Sequence, residues 1–356
     1  MGVNEPLKNK VILITGGAGF VGSNLAHMLL AEEPKELIIV DNLLSSERPM
    51  IPDSKKVTFI HGSIADDRIL GELPSQLNYV FHLATFHGNQ NSIFDPIADH
   101  ANNTFTTLKL FETLKDFPHI KKIVYSSAGC TVAEKTFDAA EPTREDAPVS
   151  LYLDSPYQLS KIFGEYYSNY YFSHHKLPIV KARFQNVYGP GEILGAGKWR
   201  GTYATVWRNV VPTFIYRSIK SMPLIVENEG RASRDFIYVT DIVRGLVACA
   251  KSGTPGEVYN LASGTETSIL QLAKLINQLT GNSTQLEMGP KRPWDNSGHR
   301  FGSVEKAKEE LDFIADTPIT EGLRNTIQWT KDNMDQIDHC VNKHADKMEK
   351  ITAFSS

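Results

Sequence analysis

The chain has 356 residues, long for one compact core, which favours one large or two closely joined domains. Hydrophobic residues at 41% and charged residues at 22% match an ordinary globular enzyme. A formal net charge of -4 gives no electrostatic case for binding nucleic acid or an anionic membrane.

Cys130, Cys249 and Cys340 are too widely spaced for a disulfide framework or a zinc pattern, so no metal site is expected. No apolar stretch approaches the length of a bilayer span. Met1 to Lys10 is polar and lacks a signal-peptide core. The expected compartment is the cytoplasm.

In chain order, the first apolar run is Val11–Ile14, followed at once by T-G-G-A-G-F-V-G-S at Thr15–Ser23. Gly16, Gly19 and Gly22 give a tight turn, a close approach to a pyrophosphate, and close packing of helix on strand. Phe20 and Val21 open the helix whose N-terminus faces the anion. The helical pattern runs over Gly22–Ala31, and a second strand, Leu37–Val40, ends in Asp41-Asn42. An acid about twenty residues past the glycines suits the ribose hydroxyls of NAD. Further strands are expected at Val57–His61, Tyr79–Leu83, Lys122–Ser126 and Ile179–Phe184. Helices are expected at Asp66–Glu72, Asp99–Lys115 and Tyr157–His174. This alternation predicts a doubly wound parallel sheet of the Rossmann type.

After Phe184 the pattern loosens, with turns at Gly189-Pro190-Gly191 and Gly195-Ala196-Gly197. A helix over Trp207–Lys220, a strand near Leu224–Glu227, and helices near Ser268–Leu279 and Val304–Leu311 predict a smaller C-terminal lobe. The expected division is 1–185 for the dinucleotide-binding domain, 186–335 mostly for the substrate lobe, partly interleaved, and 336–356 for a charged, exposed, fraying tail.

Tyr157 and Lys161 form Y-x-x-x-K. On a helix they share one face, where the ammonium favours phenolate and the phenol can exchange a proton while hydride moves to or from a nicotinamide.

Together these stretches resemble the extended short-chain dehydrogenases/reductases of the NAD-dependent nucleotide-sugar epimerase and dehydratase type, from about Lys10 to about Trp329. The resemblance also rests on Val40–Leu43, Phe81–Ala84, Ser92 with Pro96, Asn103 with Thr107, Arg183–Pro190, Arg234–Val239 with Asp241, and Lys291–Pro293. It implies that Gly16, Gly19, Phe20, Val21, Asp41, Asn42, Ser63, Ile64, Leu83, Ala84, Thr85 and Asn103 bind NAD, together with Tyr157 and Lys161. It implies a nucleotide-diphosphate sugar, with Ser127 on the reacting hydroxyl and Arg234 and Arg292 as candidates for the diphosphate, each otherwise a surface ion pair. Arginine forks suit phosphates. Asn186 is a candidate for a phosphate or sugar oxygen, or else a turn cap. The loop residues His87 and Lys198 are further candidates, otherwise a structural histidine and a solvated charge. A homodimer built on paired helices is common in the family.

The chain departs from the family pattern in four places. Thr106 stands for a glycine in N-x-x-G-T, and Ser63 for an Asp near the adenine. The strand ending Tyr125-Ser126-Ser127-Ala128 lacks the usual tyrosine–glycine, so Ser127 is the preferred third catalytic residue and Ser126 its alternate. No carboxylate lies between Ser127 and Thr131, and Glu134 is distant, which argues against a standard 4,6-dehydratase. Cys130 stands there instead, with Lys198 further on. That is a loose parallel to the cysteine and lysine of GDP-mannose 3,5-epimerases; otherwise Cys130 is a small buried hydrophobe.

The expectation is an epimerase acting through transient oxidation, at C4 of the sugar. The alternatives are a dehydratase or net C4 dehydrogenase and, outside enzymes, an NAD-sensing regulator.

Overall fold

The structure is a computed structural model that describes residues 7–129, 139–291 and 298–355. Twelve strands appear among them. They are β1 (Val11–Thr15), β2 (Glu36–Asp41), β3 (Val57–His61), β4 (Tyr79–His82), β5 (Lys122–Ala128), β6 (Ile179–Phe184), β7 (Asn186–Tyr188), β8 (Ile225–Glu227), β9 (Ser233–Tyr238), β10 (Val258–Leu261), β11 (Glu266–Ser268) and β12 (Glu287–Gly289).

Seven of them form one parallel sheet in the order β10-β6-β5-β4-β1-β2-β3. The near-continuous apolar runs follow from burial on both faces. Successive residues of β1 divide between two clusters, as a period of two requires. Ile12 and Ile14 pack with Leu25 and Leu29 of helix Phe20–Ala31 and with Ile242, Val243 and Leu246 of helix Val239–Ser252. Val11 and Leu13 pack with Leu110, Phe111 and Leu114 of helix Phe105–Leu114 and with Tyr171 of helix Pro156–His175. The chain steps outward from β1 to β3 and then returns beside β1 as β4. This reversal opens a crevice at the C-terminal ends of β1 and β4, where such sheets bind ligands.

A second lobe is built on the three-stranded β11-β9-β7 and the pair β12-β8. Its core joins Tyr188, Phe214, Ile215, Phe236, Leu272, Ile276 and Leu323. Asp235 in β9 ties the lobe together by accepting from the Ser263 N–H and hydroxyl, Gly264 N and Gly302 N at 2.7–3.2 Å.

The second lobe is interleaved with the sheet domain. Helix Val239–Ser252 and β10 return to the first sheet, so a cut at 185 divides the numbering but not the space. The C-terminal segment is more than the expected fraying tail. Helices Met334–Asn342 and Ala345–Ser355 follow Ile319–Asp332, and Ile337, Cys340 and Val341 are buried against Ile193, Leu194, Ala196 and Val206. The apolar residues Ile337, Cys340 and Val341, at i, i+3 and i+4, face inward.

Candidate active site

A cavity of about 860 Å³ lies at the ends of the sheet strands and continues into the second lobe. Its floor is the glycine turn. Gly16 has φ of +76° and sits so close to the next strand that a Cβ would lie 2.7 Å from Ala84 N. At Gly22 a Cβ would lie 2.2 Å from Gly16 O, so a side chain at either position would open the turn. Gly19 caps helix Phe20–Ala31 without a side-chain hydrogen bond, leaving the first helical N–H groups to face the cavity.

Asp41 also lines the cavity. Its Oδ2 accepts from Ala18 N at 3.0 Å, and its Oδ1 from Leu43 N at 2.8 Å and Ser46 Oγ at 3.0 Å. Burial raises its pKa against the pull of these donors. Two carboxylate oxygens still offer room for a ribose hydroxyl. Asn42, Ser63, Ile64, Phe20, Val21, Leu83, Ala84 and Thr85 complete this part of the wall.

Beneath it, Thr15 Oγ1 is 2.7 Å from His82 Nδ1, and His82 Nε2 is 2.9 Å from Thr107 Oγ1. Thr107 donates to Asn103 O, so it accepts from His82, which assigns the ring proton to Nε2. Burial pushes His82 down to about 3, which keeps it neutral.

Asn103 differs from its expected role. Its Oδ1 accepts from Thr85 Oγ1 and Phe86 N, and its Nδ2 donates to Phe86 O and Asp99 Oδ1. With these four positions taken, it fixes the wall at Thr85–Phe86 from behind and does not line the cavity.

Helix Pro156–His175 delivers Tyr157 and Lys161. Ser155 caps it, and Tyr157 N donates to Ser92 Oγ at 3.2 Å, which explains the S-x-x-x-P stretch. Lys161 Nζ donates to Ser126 O at 2.8 Å and lies 5.8 Å from the centre of the Tyr157 ring. Ser126 and Ser127 both line the cavity. Ser126 donates to His82 O, whereas Ser127 donates at 2.5 Å to Glu165, which Arg183 holds by two bonds of 2.8 Å.

His87 packs edge-on to Tyr157 at 5.9 Å. Burial, then Arg208, Arg200 and Lys161, push it down to about 3. It is therefore a neutral hydrogen-bonding group at working pH.

The far wall carries Asn186, Arg217, Arg234, Lys291 and Arg300. Arg234 is aimed by bonds to Ser233 O and Gly298 O at 2.7 and 2.9 Å. Lys198 does not line the cavity; its backbone N–H donates to Leu44 O at 2.9 Å. Cys130, Glu134 and Arg292 lie outside the described residues.

Among the wall residues that sequence reasoning did not assign are Arg217 and Arg300 and the group Glu192, Arg208 and Asn209. Asn209 donates to Glu192 Oε1, while Glu192 Oε2 and Arg208 Nε are buried without a hydrogen-bond partner. Burial pushes the Glu192 carboxyl up to about 7, against Asn209 and Arg208. The sequence signal was only a loop rich in Gly, Trp and Arg.

The glycine cradle, the acid closing β2, the wall held by Asn103, and the buried donor and acceptor atoms fit an extended, anionic dinucleotide. Fold and site thus define an α/β dinucleotide-dependent enzyme with a tyrosine–lysine pair. The NAD dependent epimerase/dehydratase family matches residues 12–262, and the chain belongs to that family. It is an NAD-dependent enzyme of nucleotide-sugar chemistry.

The Bordetella bronchiseptica enzyme WbmF, solved in complex with NAD+ and UDP, is 57% identical. The match covers 97% of this chain and 99% of that one, with a TM-score of 0.87. The UDP-glucose 4-epimerase of Mycolicibacterium smegmatis is 29% identical over 89% of this chain and 97% of its own. The dTDP-D-glucose 4,6-dehydratase of Bos taurus is 27% identical over 91% and 89%.

Proposed function

We propose that the protein is a UDP-sugar 4-epimerase. One observation carries this reading: a single cavity joins the glycine cradle, the Tyr157–Lys161 pair and the cationic wall of Arg234, Lys291 and Arg300. When bound in the cradle, NAD supplies a hydride acceptor that becomes the donor in the second half of the same turnover.

Tyr157 removes the proton from the sugar hydroxyl as the carbon becomes a ketone, and returns a proton when the hydroxyl re-forms on the other face. The Lys161 ammonium stabilises the phenolate between these steps. For Ser127 to donate to the sugar oxygen, it exchanges Glu165 for the substrate. His87, neutral and packed on Tyr157, offers the sugar a hydrogen bond that does not change with pH in the neutral range. Arg234 and Lys291, with Arg292 from the sequence pattern, meet the diphosphate.

UDP is favoured over other nucleotides by the UDP in the WbmF complex and by the UDP-glucose relative. The epimerase is favoured over the dehydratase by the missing carboxylate between Ser127 and Thr131. A cytoplasmic homodimer agrees with this chemistry. The exposed face of helix Pro156–His175 carries Leu159, Phe163, Tyr166 and Tyr170, an apolar stripe fit for a second copy.

The test is product mass after incubation with UDP-sugars and NAD in deuterated water. An isomer of unchanged formula without carbon-bound deuterium supports a 4-epimerase. Loss of water means a dehydratase, and loss of two hydrogens with NADH accumulating means a net dehydrogenase.

A further inference from the structure

Two separate parts of the chain, the loop 191–208 and the C-terminal helices, converge on the segment that hangs from Asp41. Glu47 Oε1 accepts from Gly197 N at 2.9 Å, from the Lys343 ammonium, and from Cys340 Sγ at 3.6 Å. Arg208 donates to Ser45 O at 3.2 Å and to Ile193 O and Ala196 O at 3.1 and 3.3 Å. Lys198 N donates to Leu44 O at 2.9 Å. Behind this loop, His344 Nε2 is 3.0 Å from Gly195 O.

The packing is close enough that glycine is required. At Gly197 a Cβ would lie 2.3 Å from Leu44 O, and at Gly195 it would lie 2.3 Å from Cys340 O. The loop from 191 to 208 thus bridges the segment 42–47 of the sheet domain and the helix Met334–Asn342.

We infer that the C-terminal helices are a latch on the cofactor groove, holding the loop 191–208 across the ends of residues 42–47 through Glu47 and so retaining NAD between the two half-reactions. The inference rests on NAD occupying the groove beside Asp41 and goes beyond the choice of substrate. Retention has a chemical reason: hydride that leaves the sugar must return to the same sugar, so a cofactor that escaped midway would strand a ketone.

The test measures NADH dissociation. Protein loaded with NADH is mixed with excess NAD+, and the loss of bound-NADH fluorescence is timed. The variants are Glu47→Gln, Lys343→Ala and a chain ended after Asn333, with Lys347→Ala as a control on the same helical segment. Losing a charge-assisted hydrogen bond should speed release roughly ten- to hundredfold in Glu47→Gln and Lys343→Ala. KM for NAD should rise more than kcat falls, and Lys347→Ala should match the wild type.

Equal rates in wild type, Glu47→Gln and Lys343→Ala would overturn the latch while leaving the epimerase reading intact. If the truncated chain fails to fold, the two point variants decide. A wild-type protein that binds no NADH would overturn both the cofactor assignment and the latch, a result separable from the first.

Discussion

Tyr157 sits between a cation and a neutral ring, and both neighbours set what it can do. Lys161, buried and anchored on Ser126 O, presents a fixed charge to the phenol, while His87 packs on the ring edge. Replacing Tyr157 by Phe keeps the ring contact and removes the proton carrier. Turnover should fall by about 10²–10⁴-fold with NADH binding retained, as measured by isomer formation and by fluorescence titration. Unchanged turnover would favour the regulator over the enzyme.

Glu192 gives a residue-scale prediction about stability. Its carboxyl is raised from an ordinary 4.5 to about 7 by burial. The folded state therefore holds this proton more tightly than the unfolded state does. The contribution to stability is full below about 4.5 and is lost as pH rises through about 7. In the cofactor-free protein, Glu192→Gln should flatten the fall in Tm over that window and raise Tm at pH 8, by an amount worth no more than about 3 kcal/mol. A parallel pair of Tm-against-pH curves would refute this. The sequence identified Tyr157 and Lys161 because their chemistry depends on spacing along one helix. It missed Glu192 and Arg208 because their environment comes from burial between elements far apart in number.

Among the elements, the helix Pro156–His175 has two contrasting faces. Its inner face carries Lys161, Glu165 and Tyr171 into the core, which fixes the catalytic pair. Its outer face shows Phe163, Tyr166 and Tyr170, and Phe94, Ile97 and Phe105 are also exposed in the preceding helical region. Single exposed apolar residues are unremarkable, but several on one helix face suggest an interface. Phe163→Asp should convert a dimer to a monomer in light scattering at micromolar protein. An unchanged mass from the wild type would refute the stripe as the interface.

The preceding element shows how a sequence pattern can be right in type and wrong in detail. Asp99–Lys115 reads as one helix, but His100–Thr104 is wound as a π-turn before Phe105–Leu114. The wider turn is a recurrent feature of functional helices. Here Asn103, in that turn, reaches the backbone of Phe86. Thr106, where the family has glycine, fills the turn by donating to Asn102 O and Asn103 O. Apolar spacing does not record such a turn, because one extra residue shifts the pattern by less than its own irregularity.

At the scale of the whole molecule, the sheet and the second lobe cannot be separated at the point where the sequence pattern changes. The first six sheet strands were legible because they are near-continuous apolar runs bounded by turns. The seventh, β10, is only V-Y-N-L, and Asn260 interrupts the run. Asn260 is tied locally: its backbone N–H donates to Glu145 Oε1 and its amide Nδ2 to Thr143 O, while its Oδ1 is buried without a hydrogen-bond partner.

Helix Val239–Ser252 likewise carries Ile242, Val243, Leu246, Val247, Cys249 and Ala250 back onto Ile12, Ile14, Val124 and Val180. Full burial of a large aliphatic side chain contributes about 1.5–3 kcal/mol, so burying Ile242, Val243, Leu246 and Val247 contributes about 6–12 kcal/mol, comparable to the roughly 5–15 kcal/mol by which a whole domain is stable. A chain ended at Gln185 would leave that face of the sheet open and β6 as a bare edge. It should show no cooperative thermal transition by circular dichroism and should associate through the exposed face. A chain ended after Ala262, which keeps the helix and β10, should recover a sharper transition. If the shorter fragment melts cooperatively as a monomer, the sheet domain is autonomous at 185, and the returning helix only decorates it.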